Sequence, residues 1–170
     1  VVSGSHPESV TSGERLDLMA SMLLYGLDGN GSPRIKGELV KGKKREMYKT
    51  TPDNDPPFTM IGDKQYHHFV VEIPRNARNI SLKLNGALDY DLFLYLNKDE
   101  FAFRGESDYT DISLGAVKEI NIETLEPGKW YIGVECNTTV DVVKKEWGFE
   151  YTGKTAVLNG VPYNIVIDWD

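Results

Sequence analysis

The chain is short of the residue types that staple or arm a small protein. Cysteine occurs once in 170 residues, at Cys136, so an internal disulfide, a redox thiol pair and a cysteine-rich zinc quartet are all excluded. Histidine occurs three times, at His6, His67 and His68. The last two are adjacent, and neighbours on a strand point to opposite faces, so they cannot join the three-ligand set that a catalytic zinc needs. No apolar run reaches the roughly 18–20 residues of a spanning helix, which argues against membrane insertion. The first twelve residues lack the basic flank and apolar stretch of a signal peptide, and a start on Val1 fits the mature part, or a piece, of a larger secreted protein. Positive charge is also in deficit. Nineteen Lys and Arg against twenty-six Asp and Glu leave a net charge of −7, which repels phosphate backbones and anionic lipid, so nucleic acid is not an expected partner. A Gly-x-Ser-x-Gly nucleophile elbow is missing too.

What remains is an ordinary globular composition, 40% hydrophobic and 26% charged, of a length that suits one domain with a short attachment. One segment carries helical periodicity. From Ser9 to Asn30, Leu16, Met19, Ala20, Leu23, Leu24 and Leu27 recur at three-and-four spacing, Ser12 can cap the start, and Asp28-Gly29-Asn30-Gly31-Ser32-Pro33 ends the run. That terminating run has oxygens at alternate positions, as an EF-hand loop does. It lacks the closing glutamate, since Leu39 stands at the twelfth position, and reads better as a helix stop and turn. Residues 34–48 are basic: Ile35, Leu39 and Val40 can open a short strand, and Lys41-Gly42-Lys43-Lys44-Arg45 reads as a solvated turn. Three prolines between Thr51 and Pro57 hold the chain extended and mark the expected seam between an N-terminal helix-and-linker segment, 1–57, and a body, 58–170.

Beyond the seam the periodicity is two. Gln65–Ile73, Asn79–Leu84, Asp89–Leu96, Val117–Ile122, Lys129–Cys136 and Val161–Asp168 are short runs of branched and aromatic residues separated by Gly, Pro and Asn. Ile80, Leu82 and Leu84 share one face, with Ser81 and Lys83 on the other. Trp130, Ile132, Val134 and Cys136 likewise alternate with Tyr131, Gly133 and Glu135, after a Pro127-Gly128 turn whose glycine can take a positive φ. This alternation without intervening helices predicts a mainly β protein, an antiparallel β-sandwich of jelly-roll type with one N-terminal helix. Trp130 is expected in the core, and Cys136 as a small buried hydrophobe rather than a nucleophile.

These same strands carry a resemblance. Gly62-Asp63-Lys64-Gln65-Tyr66-His67-His68-Phe69-Val70-Val71, Ile80-Ser81-Leu82-Lys83-Leu84, Asp89-Tyr90-Asp91-Leu92-Phe93-Leu94-Tyr95 and Leu125-Glu126-Pro127-Gly128-Lys129-Trp130-Tyr131-Ile132-Gly133-Val134 together resemble the bacterial pre-peptidase C-terminal domain family, over about 60% of the chain. The Asp-x-Asp-Leu-x-Leu and Pro-Gly-x-Trp-Tyr-x-x-Val pieces are the most specific. The resemblance implies a jelly-roll-like accessory domain of a secreted bacterial peptidase, without catalytic residues of its own. It implies a parent catalytic domain or a protein substrate as partner, and a secreted, periplasmic or cell-surface setting. Residues 98–115, more acidic than is usual there, the charged stretch 140–155 and the N-terminal 60 residues depart from the pattern.

For ligands, Asp89 and Asp91 sit two apart, and on a strand their carboxylates would face one way about 7 Å apart. Hard oxygens so placed suit calcium, with Asn85, Asp108, Asp111 or the Asp53-Asn54-Asp55 loop completing a shell of six to eight. The competing reading has the same carboxylates capping turn amides or pairing with Arg104. The expected cofactor is calcium, with Asp89, Asp91, Asn85 and Asp108 as its ligands. Tyr90 and Tyr95 are the candidates for stacking a ligand. The function expected is therefore a non-catalytic accessory domain aiding stability, secretion or substrate docking; the alternative is a free-standing module that binds a glycan or a cell surface.

Overall fold

The structure is a computed structural model and describes residues 35–48 and 60–170. The expected helix Ser9–Asn30, the run Asp28–Ser32 and the loop Asp53–Asp55 lie outside the described residues.

The described chain forms β1 (Ile35–Glu38), β2 (Arg45–Met47), β3 (Tyr66–Ile73), β4 (Ile80–Gly86), β5 (Leu92–Lys98), β6 (Tyr109–Asp111), β7 (Val117–Ile122), β8 (Gly128–Cys136), β9 (Asp141–Lys145), β10 (Gly148–Thr152) and β11 (Tyr163–Asp168), with a 3-10 turn at Thr155–Asn159. One sheet runs β1-β3-β8-β5-β6 and the other β2-β11-β4-β7, while β9 and β10 form a separate hairpin. All pairings are antiparallel except β1 with β3.

The period-two pattern explains the stacking. Phe69, Val71 and Ile73 of β3, Leu92, Leu94 and Leu96 of β5, and Trp130, Ile132, Val134 and Cys136 of β8 share one buried cluster with Leu82 and Leu84 of β4 and Ile165 and Ile167 of β11. Two inner faces thus fill one core, as in a sandwich. The expected turn before β8 forms with Gly128 at φ 117, a conformation that side chains resist. Trp130 packs inward and its indole N–H donates to the Glu126 carbonyl at 2.9 Å, so burial leaves no polar atom unpaired.

One expectation needs correction. The strand expected from Asp89 begins only at Leu92. Residues 87–91 turn instead, closed by the Tyr90 N–H to the Ala87 carbonyl, and Asp91 accepts the Gly115 N–H at 2.7 Å. The last of these residues is held by partners far along the chain: the Asp91 N–H donates to Thr138 Oγ1 at 2.8 Å, and its carbonyl accepts the Asn137 N–H at 2.9 Å. Residues 35–48 supply two strands: β1 joins one sheet through β3 and β2 joins the other through β11. The compact unit spans Ile35–Asp170. The charged stretch 140–155 becomes the β9–β10 hairpin.

Candidate functional site: a polar clasp on the outer sheet face

The outward residues of the five-stranded sheet would ordinarily face water. Here residues 99–108, between β5 and β6, fold back over them. A glycine permits this close approach: a Cβ on Gly133 of β8 would collide with the Ala102 carbonyl oxygen. Ala102 is fully buried, and with Phe93 and Tyr95 it makes a second small core against which Tyr66 packs. This explains why β5 is buried on both faces although it borders the short β6.

Within the covered layer, Glu135 of β8 is 7% exposed, a carboxylate position that demands partners. Tyr95 donates its hydroxyl to Oε2 at 2.6 Å, and Arg104 from the covering loop donates Nη2 to Oε1 at 2.9 Å and Nε to Oε2 at 3.3 Å. Nη2 also reaches Asn137 Oδ1 at 2.8 Å, and the guanidinium lies 5.2 Å from the Phe93 ring centroid. The fork geometry fastens loop to sheet. Burial, reinforced by Glu135, pushes the Tyr66 hydroxyl up to about 12 and that of Tyr95 higher still, so both remain donors. The carboxylate in turn raises Arg104 above its ordinary value.

His68 completes the clasp. Its Nε2 lies 3.0 Å from the Ala102 carbonyl oxygen, so Nε2 carries the proton of a neutral ring, and burial holds the group down to about 4 against the smaller pull of that carbonyl. The ring sits edge-on to Phe101 and Phe103 and parallel to Tyr66. His67 points the other way, into the main core, where its Nδ1 meets the Tyr163 hydroxyl at 2.6 Å and burial likewise keeps it neutral. Cys136 is buried, with its thiol pushed up to about 12 by desolvation. His67, His68 and Cys136 are thus buried and neutral.

The residues named for calcium do not come together. Asp89 is exposed in its turn, and its carbonyl accepts from Lys154. Asp91 caps the Gly115 amide, Asp108 accepts the Lys98 N–H at 3.0 Å, and Asn85 stands on β4 opposite Val117 and Asn164. Among the described residues no three His, Cys, Asp or Glu side chains converge. The nearby carbonyl cradle already holds a cation of the chain itself: the Lys118 ammonium is buried and donates to the carbonyls of Gly115 at 2.6 Å, Val117 at 3.3 Å and Leu114 at 3.4 Å, in the field of Asp91 and Asp111. This donor set does not fit a shell of six to eight oxygens. The capping role, weighed against metal from the sequence, is the one Asp91 adopts; Arg104 takes Glu135 as its partner instead.

Tyr95 is fully buried and cannot stack a ligand, which corrects its place among the binding candidates. Tyr90 is half-buried against the main core, with the Lys154 ammonium 5.6 Å from its ring centroid. Sequence reasoning missed the Arg104–Glu135–Tyr95 clasp, for which the readable signals were a glutamate and a glycine inside an apolar strand. On the hairpin, Trp147, Phe149 and Tyr151 stand in solvent, with Trp147 74% exposed. Among the described residues no helix is long and apolar enough to cross a membrane.

No family model and no curated protein matches the chain. Among solved structures, it is similar to the pre-peptidase C-terminal domain of a collagenase from Bacillus anthracis, at 13% identity and a TM-score of 0.45, over 81% of this chain and 99% of that one. It is also similar to a periplasmic inhibitor of g-type lysozyme from Aeromonas hydrophila, at 11% identity and a TM-score of 0.38, over 80% of this chain and 97% of that one.

Proposed function

We propose that this chain is a non-catalytic β-sandwich module that serves a secreted bacterial peptidase, holding the enzyme on its protein substrate or stabilising it outside the cytoplasm. The observation that carries this reading is the state of its reactive side chains. Glu135 is locked between Tyr95 and Arg104, both strand histidines are buried and neutral, and the single thiol is buried and protonated. Such groups hold a fold rather than turn over a substrate. The strand motifs that resemble the pre-peptidase C-terminal family add the peptidase context. The test is paired: the isolated chain incubated with an insoluble fibrous protein co-sediments with it and releases no peptides. Peptide release by the purified chain would overturn the reading, and so would a complete lack of retention.

A second reading, a glycan- or surface-binding module, is favoured by Trp147, Phe149 and Tyr151, whose rings stand in solvent where a sugar face can stack. A glycan-array signal that Trp147→Ala abolishes would place this reading first.

A further inference from the structure

β9 has one neighbour, β10, and its other edge is open: no other described strand pairs with it, and all five of its residues are exposed. The edge strands of the two larger sheets are short or interrupted, or have a backbone donor already taken. β2 and β6 have three residues each, β1 is interrupted by a register shift between Ile35 and Gly37, and on β7 the Glu119 N–H is already donated to Asp111 Oδ2 at 3.0 Å. An unprotected edge of this kind is a template for another strand. The hairpin closes with Lys145 opposite Gly148 around the two residues Glu146 and Trp147. A two-residue turn makes that closing pair a hydrogen-bonded one, so the backbone groups of Asp141, Val143 and Lys145 face β10 while those of Val142 and Lys144 face outward.

We propose that this open edge pairs with the same edge of a second copy of the chain, antiparallel, about a two-fold axis through Val143. In that register Val142 exchanges backbone hydrogen bonds with Lys144 of the second copy, on both sides of the axis, and Val143 meets its counterpart at the closer, non-hydrogen-bonded spacing. Asp141 falls opposite Lys145 of the second copy, and Lys145 opposite Asp141, so both outer pairs are of opposite charge. Neighbouring registers lose this: an axis through Val142 sets Asp141 against Val143, and one through Lys144 sets ammonium against ammonium. The β10 edge is the poorer choice, since its two-fold register puts Glu150 against Glu150. The intra-hairpin pair of Lys145 with Glu150 at 3.1 Å is solvent-exposed and leaves the ammonium free to share. The product is a four-stranded ribbon that brings Val142, Phe149 and Tyr151 of each copy onto one face. Five residues give an edge of only about 17 Å, so the association is weak and concentration-dependent.

Sedimentation equilibrium of the full chain, from micromolar to millimolar concentration, tests it. A reversible monomer–dimer equilibrium is expected. Lys145→Asp and Asp141→Lys should each weaken it about tenfold or more, whereas the double exchange Asp141→Lys/Lys145→Asp restores the original affinity. Val142→Pro, which removes an outward N–H and leaves the β10 ladder intact, should abolish the dimer. A chain that stays monomeric throughout overturns the proposal, as does a dimer indifferent to these substitutions or a double exchange that fails to recover. The positions are solvent-exposed, so an unchanged circular-dichroism spectrum in each variant keeps the comparison clean.

Discussion

Glu135 shows how one polar residue in an apolar strand organises its surroundings. Its neighbours in sequence, Val134 and Cys136, face the main core, so the carboxylate must face the other sheet surface, and only the fold-back of residues 99–108 decides whether that surface is wet. Arg104 is 54% exposed on its side chain and can rehydrate, whereas Glu135 cannot. Arg104→Ala is therefore expected to cost more stability than an exposed ion pair would, about 1–3 kcal/mol in urea denaturation. Gly133→Ala should displace the loop at similar cost, and lost hydrogen-exchange protection of the Phe103 amide, which donates to the Glu106 carbonyl, would report it. Trp130→Ala removes both a buried indole and the cap on the Glu126 carbonyl, and about 3–5 kcal/mol is expected by the same denaturation measurement.

The histidines give β3 a pH signature. An unfolded chain takes up a proton on His68 near 6.5, while the folded one holds off until about 4, so unfolding consumes protons between those values. Stability is full above about 6.5 and declines as pH falls to about 4, by up to about 3 kcal/mol for His68, with His67 acting in the same direction. Urea midpoints measured between pH 7 and pH 4 should trace this slope, and His68→Gln should make it shallower, leaving the part due to His67.

At the scale of elements, β4 and β7 could be read directly because one face of each is buried and the other is open, and β8 kept its alternation in sequence although its outer face is covered too. β5 could not be placed as well. Both its faces are covered, so Leu92–Leu96 is one apolar run and its start is set by the Asp91 cap rather than by pattern. The calcium ligands drawn from Asp89 and Asp91 depended on the same strand start, since two carboxylates share a face only if the strand includes them, and β5 begins at Leu92. β1 and β2 are four and three residues long, too short to show a period, and their places in opposite sheets come from pairing with distant strands. The β9–β10 hairpin donates no side chain to the main core. Phe149→Ser with Tyr151→Ser is expected to change unfolding free energy by no more than about 0.5 kcal/mol per site, which thermal denaturation would verify.

For the whole molecule, the sandwich has to stand on packing, since one buried cysteine allows no staple. The carbonyl cradle at Leu114, Gly115 and Val117 is filled from within by the Lys118 ammonium. Calcium should accordingly leave the melting temperature close to its value in chelator, because a filled site at a hundred times its dissociation constant would add about 2.7 kcal/mol. A shift of several degrees in calorimetry would point to ligands beyond the described residues.

The one-dimensional order of apolar and polar residues was sufficient for the class of fold and for the inward face of its central strands, because hydrophobic burial acts on period two and needs no knowledge of partners. It was also sufficient to put Trp130 and Cys136 indoors. Which carboxylate would be buried, which aromatic would stay in water and which residues would meet at the clasp depended on where a ten-residue loop came to rest. That is settled by contacts between segments far apart in the chain, such as Ala102 against Gly133, and the tertiary structure alone contains them.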